Sequence, residues 1–195
     1  MSDQPSPQSL RTEAIETLLI EKKLLTSEAI DTVLTTFSEQ VGPMNGAKLV
    51  ARAWVDQGFK ARLLEDATTI VQEYGFEGGQ VDKLIVKACS ESVHHVVVCT
   101  LCSCYPWAVL GLPPRWYKDP GYRSRIVREP RKVLTEMGLT LPETTSIKVW
   151  DSSAEIRYLV LPLRPAGTED LDETALAELI TRDAMIGVAA IEPPS

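Results

Sequence analysis

Three cysteines stand within six residues, Cys99, Cys102 and Cys104, directly after the apolar run Val96-Val97-Val98. Thiols this close in sequence close almost no loop, so pairing them removes little entropy from the unfolded chain and is a poor way to staple a fold. In a reducing compartment such a cluster points to a metal or redox centre. The chain must therefore carry a strand whose end delivers three sulfurs into one tight turn. The compartment expected is the cytoplasm, because Met1 to Ser9 is polar and proline-bearing with no apolar signal segment, and no apolar stretch is long enough to cross a bilayer.

The rest of the chain reads as an α+β protein: a helical N-terminal arm followed by a compact, layered, mixed α/β domain. Residues 1–10 are expected to be a disordered tail. Residues 11–75 form the arm, with Ile15, Leu18, Leu19 and Leu25 on one stripe and a second helix capped at Thr26 or Ser27 that carries Ile30, Val33, Leu34 and Phe37. Gly42-Pro43 closes that helix. A third helical stretch runs from about Gly46 to Tyr74, broken near Gln57-Gly58. From residue 76 to 195 the pattern changes to the α/β metal-binding domain. Gly78-Gly79 marks a turn, and Leu84-Ile85-Val86, Val96-Val97-Val98, Ile147 to Trp150 and Ile156 to Leu161 read as strands. Residues 105–129 suit short helical turns between prolines, Pro130 starts a helix that stops at Gly138, and Asp172 caps a last helix running to about Arg182. A net charge of -7 and a pI near 5.0 argue against a nucleic-acid or anionic-membrane surface, so neither partner is expected.

The spacing Cys-x-x-Cys-x-Cys leaves several chemistries open. Structural zinc needs four ligands, and Cys89, His94 or His95 could complete a set with the three loop thiols. A thioredoxin-like pair of Cys99 and Cys102 is weaker, because Pro106 comes too soon for the helix such a motif opens. Inert core thiols are the bland alternative. A further option is that Cys102 and Cys104, flanking Ser103, converge with the intervening backbone nitrogens on one side of a trivalent metal. Cys99 would then cap it and leave one position open, as catalysis needs.

The segment Val98-Cys99-Thr100-Leu101-Cys102-Ser103-Cys104-Tyr105-Pro106-Trp107 closely resembles the metal-binding signature of nitrile hydratase α subunits. The likeness continues through Leu110-Gly111-Leu112-Pro113-Pro114, Tyr122-Arg123-Ser124-Arg125, Val127-Arg128-Glu129-Pro130-Arg131 and Arg164-Pro165-Ala166-Gly167-Thr168. It runs from about residue 10 to the end. Threonine after the first cysteine is similar to the cobalt class, where the iron class usually has serine.

The resemblance implies hydration of small nitriles to amides at a non-corrin Co(III), one per α subunit, with iron the lesser expectation. It implies metal ligation by Cys99, Cys102 and Cys104 with the backbone nitrogens of Ser103 and Cys104. Cys102 would be a sulfinic and Cys104 a sulfenic acid, successive rungs of thiol oxidation. Cys104, Cys102 and Ser103 are thus the catalytic candidates. Either the metal polarises the nitrile or the sulfenate oxygen attacks it. Trp107 and Gln80 are expected at the substrate pocket, and Arg157 at a subunit interface; the plainer reading makes Trp107 a core plug and the other two solvated surface residues. Three thiolates and two amidates around a trivalent ion leave about two net negative charges, which call for arginine forks. Only Arg115 lies near the loop in sequence. In the family those arginines belong to a β subunit, so the expected state is an αβ or α2β2 assembly, inactive as a lone chain, with an activator or metallochaperone as an implied further partner.

Departures from relatives include Cys89-Ser90-Glu91 in place of Asn-Thr-Pro, His95 for asparagine and Ala108 for proline. His94 and His95 are expected to be hydrogen-bonded strand histidines and Cys89 a buried free thiol. The nearest rival is a thiocyanate hydrolase subunit, where the position of Trp107 is typically arginine. A rival of another class is a non-catalytic zinc or redox interaction protein.

Overall fold

A computed structural model describes residues 7–37, 44–76 and 83–193. The chain divides into two compact units, Met1–Gln40 and Val41–Ser195. In the first, α1 (Pro7–Glu21) and α2 (Ser27–Thr35) bury no side chain. Thr26 caps α2, its hydroxyl accepting the Ala29 N–H at 3.1 Å. Helix α1 begins at Pro7, so residues 7–10 belong to a helix rather than to the expected tail.

The second unit opens with three helices, α3 (Met44–Val55), α4 (Gln57–Glu65) and α5 (Ala67–Glu73). Single aspartates separate them. Asp56 accepts the Phe59 N–H at 2.9 Å and Asp66 accepts the Thr69 N–H at 3.1 Å, so each ends one helix and caps the next. The expected single break at Gln57-Gly58 is therefore a break at Asp56 plus a second at Asp66.

The boundary expected at 75/76 falls instead near residue 40, because α3 to α5 are built into the α/β body. The buried face of α3 is mostly small (Gly46, Ala47, Ala51, Ala53) with Leu49, Val50 and Trp54. It packs on the later helices α6 (Trp107–Leu110), α9 (Glu173–Leu179) and α10 (Arg182–Ile186), while α4 and α5 lie on strand β1 (Lys83–Ala88). At Gly46 a Cβ would stand 2.8 Å from both Met185 Sδ and the Val109 carbonyl oxygen, so only glycine admits this approach.

Strand β1 pairs in parallel with β4 (Ile156–Leu161), and β2 (Val93–Val98) pairs in parallel with β3 (Ser146–Asp151). Both pairs are covered by helices, which is why their ends nearest the core read as unbroken apolar runs, Val96 to Val98 and Leu159 to Leu161. Helices α7 (Pro120–Arg125) and α8 (Pro130–Glu136) fill the connection from β2 to β3, with proline in the first turn of each and Gly138 at φ 96° just beyond α8. The last expected helix is two: α9, capped by Asp172, ends at Leu179, and Thr181 caps α10. The turn expected at Gly78-Gly79, the Gly42-Pro43 stop and the candidate Gln80 lie outside the described residues.

Candidate metal centre

Strand β2 ends at Val98, and Cys99 is the first residue off the sheet, with no exposed surface. In a parallel pair both carboxyl ends lie together, so Val98 stands opposite Asp151, the last residue of β3. That register places the Asp151 carboxylate against the loop. It accepts the Thr100 N–H at 2.9 Å and the Thr100 hydroxyl at 2.5 Å. From α7, Arg123 Nη2 donates to the Thr100 carbonyl at 2.7 Å. Further along, buried Tyr117 donates its hydroxyl to the Cys104 carbonyl at 3.0 Å, and Tyr122 donates to the Val97 carbonyl at 2.8 Å. The cysteine turn is thus held at both ends by side chains from other elements.

Within the turn the three sulfurs converge. Their Sγ atoms all lie within 4.8 Å of one another. Cys99 and Cys102 are 3.3 Å apart and Cys102 and Cys104 2.8 Å, well beyond the ~2.05 Å of a disulfide. Cys99 and Cys104 are buried while Cys102 is exposed. The Cys102 thiol is brought down to about 7 by hydrogen bonds from Cys104 and Cys99, helped by the backbone N–H groups of Cys104 and Ser103. Burial pushes the Cys104 thiol up to about 12, and Arg157 opposes that rise.

The donor set fits a thiophilic transition metal. Three sulfurs face one centre, and the Ser103 and Cys104 amides are turned toward the Cys102 sulfur, where they can serve as nitrogen donors. No histidine, carboxylate or fourth cysteine joins the group among the described residues. Cys89, His94 and His95, the residues that could have completed a zinc set, are engaged elsewhere. His94 Nε2 is 2.8 Å from the Gly187 carbonyl, and His95 Nδ1 accepts the Trp150 indole N–H at 2.9 Å.

Trp107 opens α6 and lies half-buried against the core. Arg157 is buried on β4 at 6% exposure rather than lying on the surface; one Nη donates to the Ser153 carbonyl, and its Nε has no hydrogen-bond partner among the described residues. Arg115 is exposed. Sequence reading missed the three residues that position the loop, Asp151, Arg123 and Tyr117. It also missed that Arg157 reaches the Cys104 electrostatic environment, since nothing in local sequence links these positions to residue 104.

Comparison with known proteins gives the same picture. The sequence model of the family described as nitrile hydratase, alpha chain, matches residues 6–189. A low-molecular weight cobalt-containing nitrile hydratase subunit alpha from Rhodococcus rhodochrous is 54% identical over 185 residues, covering 95% of this chain and 89% of that one. Thiocyanate hydrolase subunit gamma from Thiobacillus thioparus is 44% identical over 191 residues, covering 92% and 78%. Among solved structures, a double mutant of the Fe-type nitrile hydratase from Comamonas testosteroni Ni1 superposes with a TM-score of 0.87 at 42% identity, over 98% of this chain and 97% of that one. With the family match running through nearly the whole chain and the sulfur cluster in place, this protein belongs to the nitrile hydratase alpha chain family.

Proposed function

We propose that the chain is the metal-bearing subunit of a cobalt nitrile hydratase that converts small nitriles to amides. The observation that carries this is the cluster of Cys99, Cys102 and Cys104 sulfurs within 4.8 Å at the end of a buried strand, with no fourth side-chain ligand among the described residues. Those sulfurs, with the backbone nitrogens of Ser103 and Cys104, would hold Co(III). Thr100 and the 54% identity to a cobalt-containing relative favour cobalt over iron. A trivalent cobalt held there supplies Lewis acidity to the reaction.

The chain's own residues supply the rest. Cys102 and Cys104, as sulfinic and sulfenic acids, carry negative oxygens at the mouth of the site. Asp151 and Arg123 hold Thr100, and Tyr117 holds the Cys104 carbonyl, so the sulfurs stay converged without help from substrate. Arg157 offers a buried cation whose charge favours the Cys104 thiolate, offsetting part of the anionic charge. Trp107 forms an apolar wall that suits a neutral nitrile better than an anion such as thiocyanate. Gln80 is assigned to the same pocket on the resemblance alone. Overall, one water adds across the C≡N bond and both its protons end on nitrogen.

Remaining charge compensation comes from a β subunit in an αβ or α2β2 assembly, and Arg157 lies at that interface. The two N-terminal helices are the arm that embraces this partner, and an activator protein assists cobalt insertion in the cytoplasm. The test is metal analysis with peptide mass spectrometry on the chain purified with its partner subunit. Stoichiometric cobalt, two added oxygens on Cys102, one on Cys104, and amide formation without carbonyl sulfide release from thiocyanate are expected. Zinc with three unmodified thiols after cobalt-replete expression would sink the proposal.

A further inference from the structure

The fourth cysteine lies away from the metal loop, where β1 turns into β2. Cys89 is half-buried and free, with its sulfur 3.8 Å from His94 Nδ1. On the far side of the imidazole, Nε2 is 2.8 Å from the Gly187 carbonyl oxygen. A carbonyl can only accept, so this contact places the ring proton on Nε2 and leaves the Nδ1 lone pair facing the thiol. The orienting carbonyl is itself fixed: Gly187 has φ 90°, and a Cβ there would meet the His95 carbonyl oxygen at 2.0 Å. The His95 backbone N–H also donates to the Cys89 sulfur at 3.4 Å, a contact that favours developing thiolate charge. Nucleophile, base and orienter are thus in line, the arrangement that activates a cysteine for covalent chemistry.

This pair opens into a cavity. The cavity holds about 230 Å3, and Leu139, Leu141, Pro162 and Ile191 line it beside Cys89 and His94. Its one cation, Arg164, is oriented by Thr168, donating to both the side-chain hydroxyl and the carbonyl oxygen. Apart from that guanidinium and the Cys89–His94 pair the walls are apolar, which suits an uncharged ligand. The volume lies below the usual range for drug-sized pockets, so it suits a molecule of few heavy atoms. Burial keeps His94 neutral and able to accept a proton, and holds the Cys89 thiol protonated at rest.

We propose that Cys89 and His94 form a second, metal-independent nucleophilic site that takes a small uncharged electrophile of the α,β-unsaturated carbonyl class. In the step, the Cys89 sulfur forms a bond to the β-carbon and the carbon–carbon π pair shifts toward the carbonyl. The thiol proton passes to His94 Nδ1 and returns to the α-carbon. No oxidant, reductant or leaving group is needed.

The experiment treats the cobalt-loaded complex with N-ethylmaleimide and follows labelling by peptide mass spectrometry. A single adduct per chain on Cys89 in the native complex is expected, absent in Cys89→Ser. His94→Gln, which can still donate to the Gly187 carbonyl, is expected to slow labelling by about tenfold or more. A measurement on the unaltered protein stands beside the variants. Without base assistance a buried thiol reacts more slowly than N-acetylcysteine at the same pH, so a Cys89 rate equal to or above that reference supports the site. Labelling only after denaturation, a rate below the reference, or an unchanged rate in a folded His94→Gln protein would each overturn it.

Discussion

The two units of this chain solve opposite problems. Residues 44–193 bury a continuous core, with Leu49, Val96, Val98, Ile126 and Leu159 fully enclosed, and hold the cysteine turn with hydrogen bonds from β3, α7 and the segment before α7. The helices of residues 7–37 enclose nothing, and leave Leu10, Ile15, Leu18, Val33 and Leu34 about half-exposed. Apolar side chains without a core beneath them gain little from folding alone, because the hydrophobic term scales with the area removed from water. The metal-loop unit is therefore organised by its own side chains, whereas the helical pair has no core of its own.

The largest effect expected is at the sulfurs. Cys102→Ser or Cys104→Ser should abolish stoichiometric cobalt binding and nitrile hydration together, seen by metal analysis and amide assay, while circular dichroism stays close to the parent. Retained metal and activity in either variant would break the assignment of the site to this unit. Next comes removal of residues 1–37. The remaining unit should still melt cooperatively, and its association with the partner subunit should weaken severely in size-exclusion chromatography. A truncated chain that loses cooperative melting would show that the core depends on the helical pair after all.

Point substitutions sharpen the same contrast. Leu159→Ala, at a position with no exposure, should cost about 2–5 kcal/mol in denaturant unfolding. Leu18→Ala, at 52% exposure, should change the stability of the isolated chain by no more than about 0.5 kcal/mol. Asp151→Ala removes both bonds to Thr100 and should weaken cobalt retention against a chelator by roughly 10–100-fold, with the melting temperature little changed.

The smallest effect is a pH dependence confined to the larger unit, which holds both histidines of the chain. Burial lowers the pKa of His94 and His95, and protonated His95 Nδ1 would face the Trp150 N–H donor. For a base whose folded pKa is depressed, the unfolded chain binds more protons, so stability is full above the unfolded value. It is then lost as pH falls below about 6.5 toward the folded values. The melting temperature should therefore drop between about pH 7.5 and about pH 5.5, and less so in His95→Gln.

Much of this was legible locally. The Cys99–Cys104 spacing, the apolar run before it, the Thr26 and Asp172 caps and the Pro130 start are signals read within a few residues, because hydrogen-bonding side chains and ring constraints act at short range. The Ile156–Leu161 strand was read to its ends for the same reason. Helices α3 to α5 were placed in the wrong unit. An amphipathic stripe shows that a face is covered without showing by what, and the same pattern serves an arm or a core. Asp56 and Asp66 show how a polar residue inside a helical run becomes a cap once the chain turns.

What sequence alone determined is the chemistry: three sulfurs in one turn, the backbone amides between them, and the strand that delivers them. Which other residues serve that turn was decided by tertiary structure. Asp151 follows Thr100 by more than fifty positions and meets it only because β2 and β3 run parallel with Val98 opposite Asp151. The Arg157 charge acts on Cys104, and Gly187 reaches His94, because β4 and α10 pack on the same core. Spacing along a chain fixes neighbours within a turn, but pairing register and helix packing choose the partners that come from far away.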